Sequence, residues 1–495
     1  MKSSKSLQKR IARIFSEGVT SFDLFYQLTH MSATSAAGVS RDRVFRLARE
    51  LSCPSAQYFR DIALLVENMR YNYPDACRMI GEDVNSEETK NFLLRLADAL
   101  RSGEPLPPFL AREATVQGKN YTNEYERNLE SLKKWNDGYT AITVSVALIV
   151  IINMVSTMIY DLGTATMLMM MMTAGMAGFG VAWVISRSAP QEVKNVPLTK
   201  GSKEQRLARK LFQILAPVAV VASLSLLLLG IAEGWIMILA SLLVAPIGIV
   251  SLVAENKVDK KDKEISAFLR SVGGTATSRG TTLKDALANI KIDSFPTLEP
   301  DIHRLRLRLN AFGEPRLCWR MFATETGSKL VDRATGIFCE AVNLGGDPEQ
   351  AGILSSIFAM KTAMLRAKRS GIAATFTWLT VIMHAVLVAL MVFLLAILGQ
   401  FADMLDAAMT SVEQDRQALQ SMPAALSVLP FSLPDLSFLG QMTMGMVLIL
   451  AFTNAFAMVS SEGSHLLKMF LYLSILLFVS GVSFLTVPSL VQLVM

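Results

Sequence analysis

Residues 361–398 read KTAMLRAKRSGIAATFTWLTVIMHAVLVALMVFLLAIL. The first nine of these residues carry four lysine or arginine side chains, and the uninterrupted apolar run Ile372–Leu398 follows at once. An apolar run of about 20 residues is long enough to cross a membrane as a helix. The polar residues that precede it, from Ile265 onward, have helical hydrophobic spacing and no strand-like alternation. This stretch therefore joins a soluble helical domain directly to a membrane span.

The N-terminal part of the chain has the same organisation. Soluble helices are predicted as far as Lys133 and Lys134, and the apolar run Tyr139–Ile159 follows them. In both parts a helix is followed by a glycine turn, at Gly103 and again at Gly346, and then by a helix that starts with proline, basic residues and a span. The sequence therefore predicts an internal repeat of one soluble domain with its span.

Composition places the chain among membrane proteins. Hydrophobic residues make up 52% of its 495 residues, charged residues make up 18%, and the mean hydropathy is +0.38. The net charge of +6 comes largely from basic residues beside apolar runs, so membrane topology accounts for it. The four cysteines form no CxxC pair and are predicted to be reduced cytosolic thiols. The basic N-terminus lacks the apolar core of a signal peptide, so no cleavage is expected.

Seven apolar runs predict seven spans. They are Tyr139–Ile159, Thr166–Ser186, Leu211–Ile231, Trp235–Ala254, Ile372–Leu398, Phe438–Ser460 and Leu466–Leu490. Lysine and arginine beside spans stay cytoplasmic, which predicts a cytoplasmic N-terminus and an extracytoplasmic C-terminus in the cytoplasmic membrane. The fold class is accordingly all-α, a polytopic membrane protein with two helical-bundle cytoplasmic domains.

The predicted domains follow from these spans. They are a first cytoplasmic helical domain at 1–137, a transmembrane hairpin at 138–186, a cytoplasmic linker at 187–210, a second hairpin at 211–254, a second cytoplasmic helical domain at 255–370, a fifth span at 371–399, an extracytoplasmic segment at 400–436 and two final spans at 437–495.

The motifs of common enzymes are missing from the sequence. It contains no P-loop, no GxGxxG after a strand, no GxSxG and no HExxH, and its four histidines are scattered. The prediction is a protein that is not an enzyme and uses no metal or cofactor. No Asp, Glu, Lys or Arg lies at the centre of a span, although transport pathways usually need such groups.

A few residues within the spans are candidates for helix packing. Asn153 and His384 are strongly polar residues deep in the first and fifth spans, at roughly equivalent places, and each is expected to form a hydrogen bond between helices. Ala174, Gly178 and Ala182 form a stripe of small residues that favours close helix packing at Gly178.

The soluble domains carry arginines far from any span. Arg304 and Arg308 share a helix face with Arg306 beside it, and the first domain has a comparable set. That set is Arg41, Arg43, Arg46 and Arg49. Such a surface is either a solvated or lipid-facing basic face, or a docking face for an acidic cytoplasmic protein. Nucleic acid is not a predicted partner, because aromatic residues do not alternate with the arginines and no binding motif is present.

The two repeats resemble the type II secretion F domain family. The first is centred on FLLRLADALRSGEPLPPFL, residues 92–110, and the second on FCEAVNLGGDPEQAGILSSIF, residues 338–358. The helix–glycine–helix pattern followed by basic residues and a span is similar to that domain. The extra hairpins between the repeats and the three-span ending look more like the archaeal branch, FlaJ and the archaeal pilus relatives, than like bacterial PilC or GspF.

The resemblance implies a platform protein of a filament assembly machine. Family members lie in the cytoplasmic membrane above a hexameric secretion ATPase and help to add pilin or archaellin subunits to a filament. The implied partners are therefore that ATPase, the filament subunits, membrane lipid and further copies of the same chain. A polytopic transporter or lipid-handling protein with cytoplasmic regulatory domains is the alternative that the sequence leaves open.

Overall fold

A computed structural model of the chain describes residues 20–156, 163–190, 194, 202–311, 313–418 and 436–494. Within these ranges the chain forms sixteen α-helices and no β-strand, which confirms the predicted all-α class. The basic N-terminus, Asp161, residues 191–193 and 195–201 of the predicted linker and residues 419–435 of the predicted outer segment lie outside the described residues.

The helices are numbered here in chain order. They are α1 Ser21–Ala36, α2 Arg41–Glu50, α3 Ala56–Met69, α4 Tyr73–Asp83, α5 Glu87–Ser102, α6 Leu106–Ser156, α7 Gly163–Ser188, α8 Lys203–Leu228, α9 Glu233–Arg279, α10 Leu283–Asn289, α11 Glu299–Asn310, α12 Pro315–Thr326, α13 Lys329–Asn343, α14 Pro348–Ala418, α15 Leu436–Glu462 and α16 Met469–Val494. Short 3₁₀ turns lie at Ile292–Ser294 and Leu466–Lys468.

The chain divides into two compact units. The first comprises residues 1–127, 193–202 and 256–367, so both soluble stretches contribute to one unit. Its innermost helix is α1, in which fifteen of sixteen residues are buried although many of them are polar. Polar residues can be buried at this density only where partners satisfy them. Helix α1 therefore needs partners from elsewhere in the unit.

The two soluble stretches share one helix plan at a constant spacing. Helices α2, α4, α5 and α6 begin at residues 41, 73, 87 and 106, and α10, α12, α13 and α14 begin 242 residues later, at 283, 315, 329 and 348. The turns agree, because φ is positive at both members of each pair: +73° at Gly38 and +58° at Gly280, and +76° at Gly103 and +90° at Gly345. Glycine adopts this left-handed conformation without steric cost, which is why it ends the preceding helix in each repeat.

The second unit contains the membrane spans. It comprises residues 128–192, 203–255 and 368–495. Seven helices among the described residues are long and apolar enough to cross a membrane: those within Leu106–Ser156, Leu168–Ser188, Lys203–Leu228, Glu233–Arg279, Pro348–Met404, Phe438–Glu462 and Leu466–Leu493. Their number matches the seven predicted spans. Helix α14 continues to Ala418, so the predicted outer segment at 400–436 begins as helix.

Candidate functional site

The two repeats meet inside the soluble unit at a polar seam between α1 and α13. Arg333 of α13 lies with Nη2 3.3 Å from the Oδ1 atom of Asp23, and each side chain is only 10% exposed. The Arg333 guanidinium also lies 4.6 Å and 4.9 Å from the ring centres of Phe22 and Tyr26. Such cation–π contacts gain strength when water is excluded. Arg333 therefore neutralises the buried carboxylate and covers two rings of α1.

A hydrogen-bonded pair of side chains lies further along the same seam. His30 Nε2 is 2.8 Å from Glu340 Oε2, and the histidine side chain is 1% exposed. Burial alone would raise the pKa of Glu340, but the hydrogen bond and charge of His30 hold it below its ordinary value. The charges of Arg316 and Arg43 act in the same direction. An arginine from each repeat therefore acts on this one carboxylate.

Aromatic packing completes the contact between the repeats. The ring of Phe358, on α14, lies 5.8, 5.2 and 5.7 Å from the rings of Phe22, Phe25 and Tyr26 on α1. Burial raises the pKa of the Tyr26 hydroxyl well above its ordinary value. Aromatic rings at these distances contribute packing energy beyond the area that they bury. The seam thus combines an apolar centre with the Asp23–Arg333 ion pair and the His30–Glu340 hydrogen bond.

The predicted arginines of the second repeat are engaged within the chain. Arg304 Nε lies 3.0 Å from Glu325 Oε2, and Arg308 Nη2 lies 2.5 Å from Glu325 Oε1. Arg304 also pairs with Asp301, whose other oxygen is 2.7 Å from Lys261. Partial burial alone would raise the pKa of Glu325, but the hydrogen bonds and charges of Arg308 and Arg304 hold it below its ordinary value. These two arginines therefore tie α11 to the end of α12.

The predicted arginines of the first repeat are partly engaged. Arg46 pairs with Asp42 one helical turn earlier, and Arg49 Nη1 lies 2.8 Å from Glu67 Oε1. The hydrogen bond from Tyr73 and then that from Arg46 lower the pKa of Asp42. Arg41 and Arg43 have no carboxylate of the described residues within 4 Å, and the same is true of Arg306 in the second repeat. Exposed pairs of this kind contribute little stability, so Arg46 and Arg49 remain available to a partner.

His384 lies in a hydrogen-bonded chain that connects four spans. Tyr139 donates to Asn454 Oδ1 at 2.7 Å, and Asn454 Nδ2 donates to His384 Nδ1 at 3.1 Å. Because Nδ1 accepts, the imidazole proton is on Nε2, which donates to Ser480 Oγ at 3.0 Å. Ser480 donates in turn to the Leu476 carbonyl at 2.8 Å. The chain holds α6, α14, α15 and α16 together.

Asn153 has different surroundings from His384. Its Oδ1 atom is buried and accepts no hydrogen bond from any described residue. It borders a cavity of about 30 Å³ whose wall is rich in methionine and also includes Thr443, and the cavity is large enough for one water molecule. The expectation that the two residues occupy equivalent places is not met, because the spacing of 242 residues pairs Asn153 with Leu395 and His384 with Ile142.

The stripe of small residues on α7 faces α15. Ala174, Gly178 and Ala182 are all buried, and a Cβ atom added to Gly178 would lie 3.8 Å from Thr453 Oγ1. This is an ordinary van der Waals distance, so the face has room for a methyl group. Tighter approaches occur elsewhere: a Cβ on Gly234 would lie 2.9 Å from the carbonyl oxygen of Gly481. Sequence reasoning missed this pair, and isolated glycines inside apolar spans were the available signal.

Sequence reasoning also missed the structural role of two buried basic residues beside the turn between α15 and α16. Arg369 donates to the carbonyls of Ser460 and Ser461, both at 2.9 Å, and so caps α15. Lys468 is 4% exposed, pairs with Glu462 and lies 3.5 Å from Glu255. Arg369 and Lys468 were counted only as signals of membrane topology. Each of them has a structural partner as well.

The described residues contain no group of three or more His, Cys, Asp or Glu side chains that could hold a metal ion. The four cysteines are free and buried. Burial raises the pKa of Cys77 to about 12 and also raises that of Cys53, so neither thiol is a ready nucleophile.

Comparison with known proteins identifies relatives of the chain. The family model for the type II secretion system (T2SS) protein F matches residues 28–154, from within α1 to the end of α6. Flagella accessory protein J of Methanocaldococcus jannaschii is 27% identical over 62% of this chain and 56% of its own length. Flagella accessory protein J of Methanococcus voltae is 24% identical over 86% of this chain and 77% of its own length.

The chain thus spans little more than half of the first of these two relatives. No solved structure matches it significantly. Residues 28–154, from the first soluble repeat into the first span, match the F domain model, and the chain is similar to the two flagella accessory proteins J, in agreement with the resemblance seen in its sequence.

Proposed function

We propose that this chain is the membrane platform of a machine that assembles a type IV pilus-like filament or an archaellum. In this role it couples a cytoplasmic hexameric ATPase to the insertion of pilin or archaellin subunits. The names of the two relatives and the F domain match support the general role. The chain itself has no catalytic part in the proposal, since the ATPase hydrolyses the nucleotide.

The observation that carries the proposal is the shared core of the two repeats. A protein that passes on movement needs a soluble body that moves as one piece and continuous connections from that body to its spans. The Asp23–Arg333 pair and the Phe358 aromatic cluster join the two repeats into one unit. Helices α6 and α14, of 51 and 71 residues, each continue from this unit into a span without a break.

The proposed orientation has the N-terminus in the cytoplasm and the C-terminus outside. Lysines and arginines cluster next to the spans on the side of the soluble unit, for example at Lys133, Lys134, Lys257 and Lys260. Basic residues of this kind are retained on the cytoplasmic side. The soluble unit then faces the compartment that contains the ATPase, and lipid surrounds the spans. Further copies of the chain are expected in the working platform.

A transporter is the weaker alternative on present observations. The polar residues of the spans chiefly bond to one another, as in the chain from Tyr139 to Ser480. Lys468 lies between the carboxylates of Glu255 and Glu462 beside the turn between α15 and α16, so these charged groups contact one another. A transport pathway would instead present ionisable groups to a central cavity.

The test is deletion and complementation in the organism that carries the gene. We expect the deletion strain to lack surface filaments in electron micrographs while processed filament subunits accumulate in its membrane fraction. The gene restored in trans should return filaments, and the purified chain should bind the secretion ATPase of the same genome. Normal filaments in the deletion strain, together with altered solute or lipid movement, would favour the transporter instead.

A further inference from the structure

The common helix plan allows the exposed surfaces of the two repeats to be compared position by position. Helices α4 and α12 align at the spacing of 242 residues, and their buried positions agree. Ala76 and Cys77 are buried on α4, and Cys318 and Trp319 are buried at the matching positions of α12. The alignment of these helices therefore rests on both their bounds and their packing.

Only two residues are identical between α4 and the matching part of α12. They are the adjacent pair Arg78 and Met79 in the first repeat and Arg320 and Met321 in the second. All four side chains are exposed, and the methionines are 50% and 39% exposed. The buried positions beside them, in contrast, have changed residue type. In this pair of helices the identical positions are therefore ones that the core does not determine.

The preceding helices give a third identical position. Helix α3 aligns with α11 at a spacing of 243 residues, which places buried Tyr58, Phe59 and Ile62 over buried residues of α11. The one identical pair in this alignment is Leu64 and Leu307, which are 54% and 57% exposed. Helices α3 and α4 pack against each other, as do α11 and α12. Each repeat therefore presents a leucine, an arginine and a methionine to solvent on two neighbouring helices.

A single exposed leucine is ordinary on a protein surface. The ordinary occurrence of such residues does not explain why the same three exposed residue types recur at matching positions of both repeats. Exposed leucine and methionine gain free energy when a partner covers them, and methionine adapts to the shape of the partner. The arginines favour a partner with carboxylates. Arg78 has only a distant carboxylate, Asp98 at 3.9 Å, and no described carboxylate lies within 4 Å of Arg320.

We propose that Leu64, Arg78 and Met79, and equally Leu307, Arg320 and Met321, form two equivalent docking surfaces for two subunits of one homo-oligomeric cytoplasmic protein. Each subunit would supply an apolar pocket edged by carboxylates. An oligomer of identical subunits is the partner that offers the same complementary site twice. This inference rests on the proposed function, in which that oligomer is the secretion ATPase.

The test measures the affinity of the purified full-length chain, in detergent, for the ATPase of the same genome. One variant changes the first surface by L64S, R78E and M79S, a second changes the other by L307S, R320E and M321S, and a third combines them. The matched control changes an exposed apolar residue and an exposed arginine that are not duplicated, V116S with R279E.

Two linked sites bind far more tightly than one, so either single-surface variant should bind about a hundredfold more weakly than the wild type. The combined variant should show no binding, and the control should bind normally. All variants should melt within a few degrees of the wild type, since the substituted side chains are exposed.

Three results would overturn or redirect the inference. Unchanged affinity of the combined variant refutes the docking surfaces while the proposed function stands. Failure of the wild-type chain to bind any ATPase counts against the proposed function itself. If ATPase affinity is kept but stabilisation by added phosphatidylglycerol is lost, the surfaces meet lipid and the protein–protein proposal is wrong.

Discussion

Replacement of Arg333 by methionine tests whether the seam joins the two repeats into one unit. Methionine keeps an unbranched apolar chain at this position but loses the guanidinium that lies over the rings of Phe22 and Tyr26. The substitution removes the charge and leaves the Asp23 carboxylate, which is 10% exposed, without its cation. The expected effect is therefore chiefly the loss of the positive charge, which both the Asp23 carboxylate and the two rings contact.

The expected loss of stability is large. Breaking a buried ion pair by removing one partner costs about 3–5 kcal/mol, because the other charge stays buried. For a folded unit of roughly 150–250 residues, each kcal/mol lowers the melting temperature by about 2–4 °C. Arg333→Met should therefore lower the melting temperature of the soluble unit by about 6–20 °C.

Tryptophan fluorescence during heating of the detergent-purified protein is a suitable assay. Trp319 is buried in the soluble unit, and Trp135, Trp183, Trp235 and Trp378 are exposed, so a change in burial on unfolding comes chiefly from Trp319. The matched control is the double variant Asp23→Asn/Arg333→Met, which removes both charges and should recover most of the loss. A single variant that melts with the wild type would refute the idea that this pair joins the repeats.

Three further predictions follow from particular residues. A cysteine at Ser411, on the proposed outer side, should react with an impermeant thiol reagent in intact cells, and a cysteine at Ser278, on the proposed cytoplasmic side, should not. The four native thiols are buried and should add little background labelling; the reverse pattern would contradict the proposed topology. Gly178→Leu should cost about 1–3 kcal/mol by overpacking against α15, whereas Gly178→Ala should be tolerated; equal melting temperatures in detergent would show that this face is not packed. The pKa of Glu325 is lowered in the folded protein, so the stability that its carboxylate contributes is complete above the ordinary pKa of 4.5 and is lost as pH falls through the lowered value. The difference in melting temperature between the wild type and Glu325→Gln should therefore shrink below pH 4.5. A difference that stays constant with pH would contradict this.

The spans could be predicted from sequence because their signal is local. A run such as Ile372–Leu398 identifies itself by length and apolarity alone, and α14 includes it. The pairing of spans was beyond sequence reasoning. The approach of Gly234 to Gly481 depends on which helices become neighbours, and the two residues are far apart in the chain.

The seam was invisible for a similar reason. Helix α1 lacks a clear apolar stripe, and residues such as Asp23 and His30 looked like ordinary polar positions. Their partners, Arg333 and Glu340, lie 310 residues later in the chain. A partner that is near in the chain can also escape prediction. Arg304 and Arg308 pair with Glu325 on the next helix, but the sequence alone did not distinguish a solvated basic face from an ion-paired one.

The polar seam also specifies which repeat pairs with which. At the spacing of 242 residues the counterparts of Asp23 and His30 are Ile265 and Val272, both fully buried, and the counterparts of Arg333 and Glu340 are Asn91 and Asp98.

The second repeat therefore has no partner of its own for Arg333 or Glu340, and the first has no cation of its own for Asp23, although Asp98 is a carboxylate at the position that matches Glu340. If the second repeat paired with a second copy of itself, Arg333 would face the apolar residue Ile265. If the first repeat did so, Asp23 would face Asn91 and remain without a cation. Buried charges without partners are strongly unfavourable, so Asp23 disfavours pairing of the first repeat with itself and Arg333 disfavours that of the second. We infer that the ion pairs contribute selectivity more than stability. They favour packing of the first repeat against the second. The shared helix plan would otherwise also allow each repeat to pack against a second copy of itself.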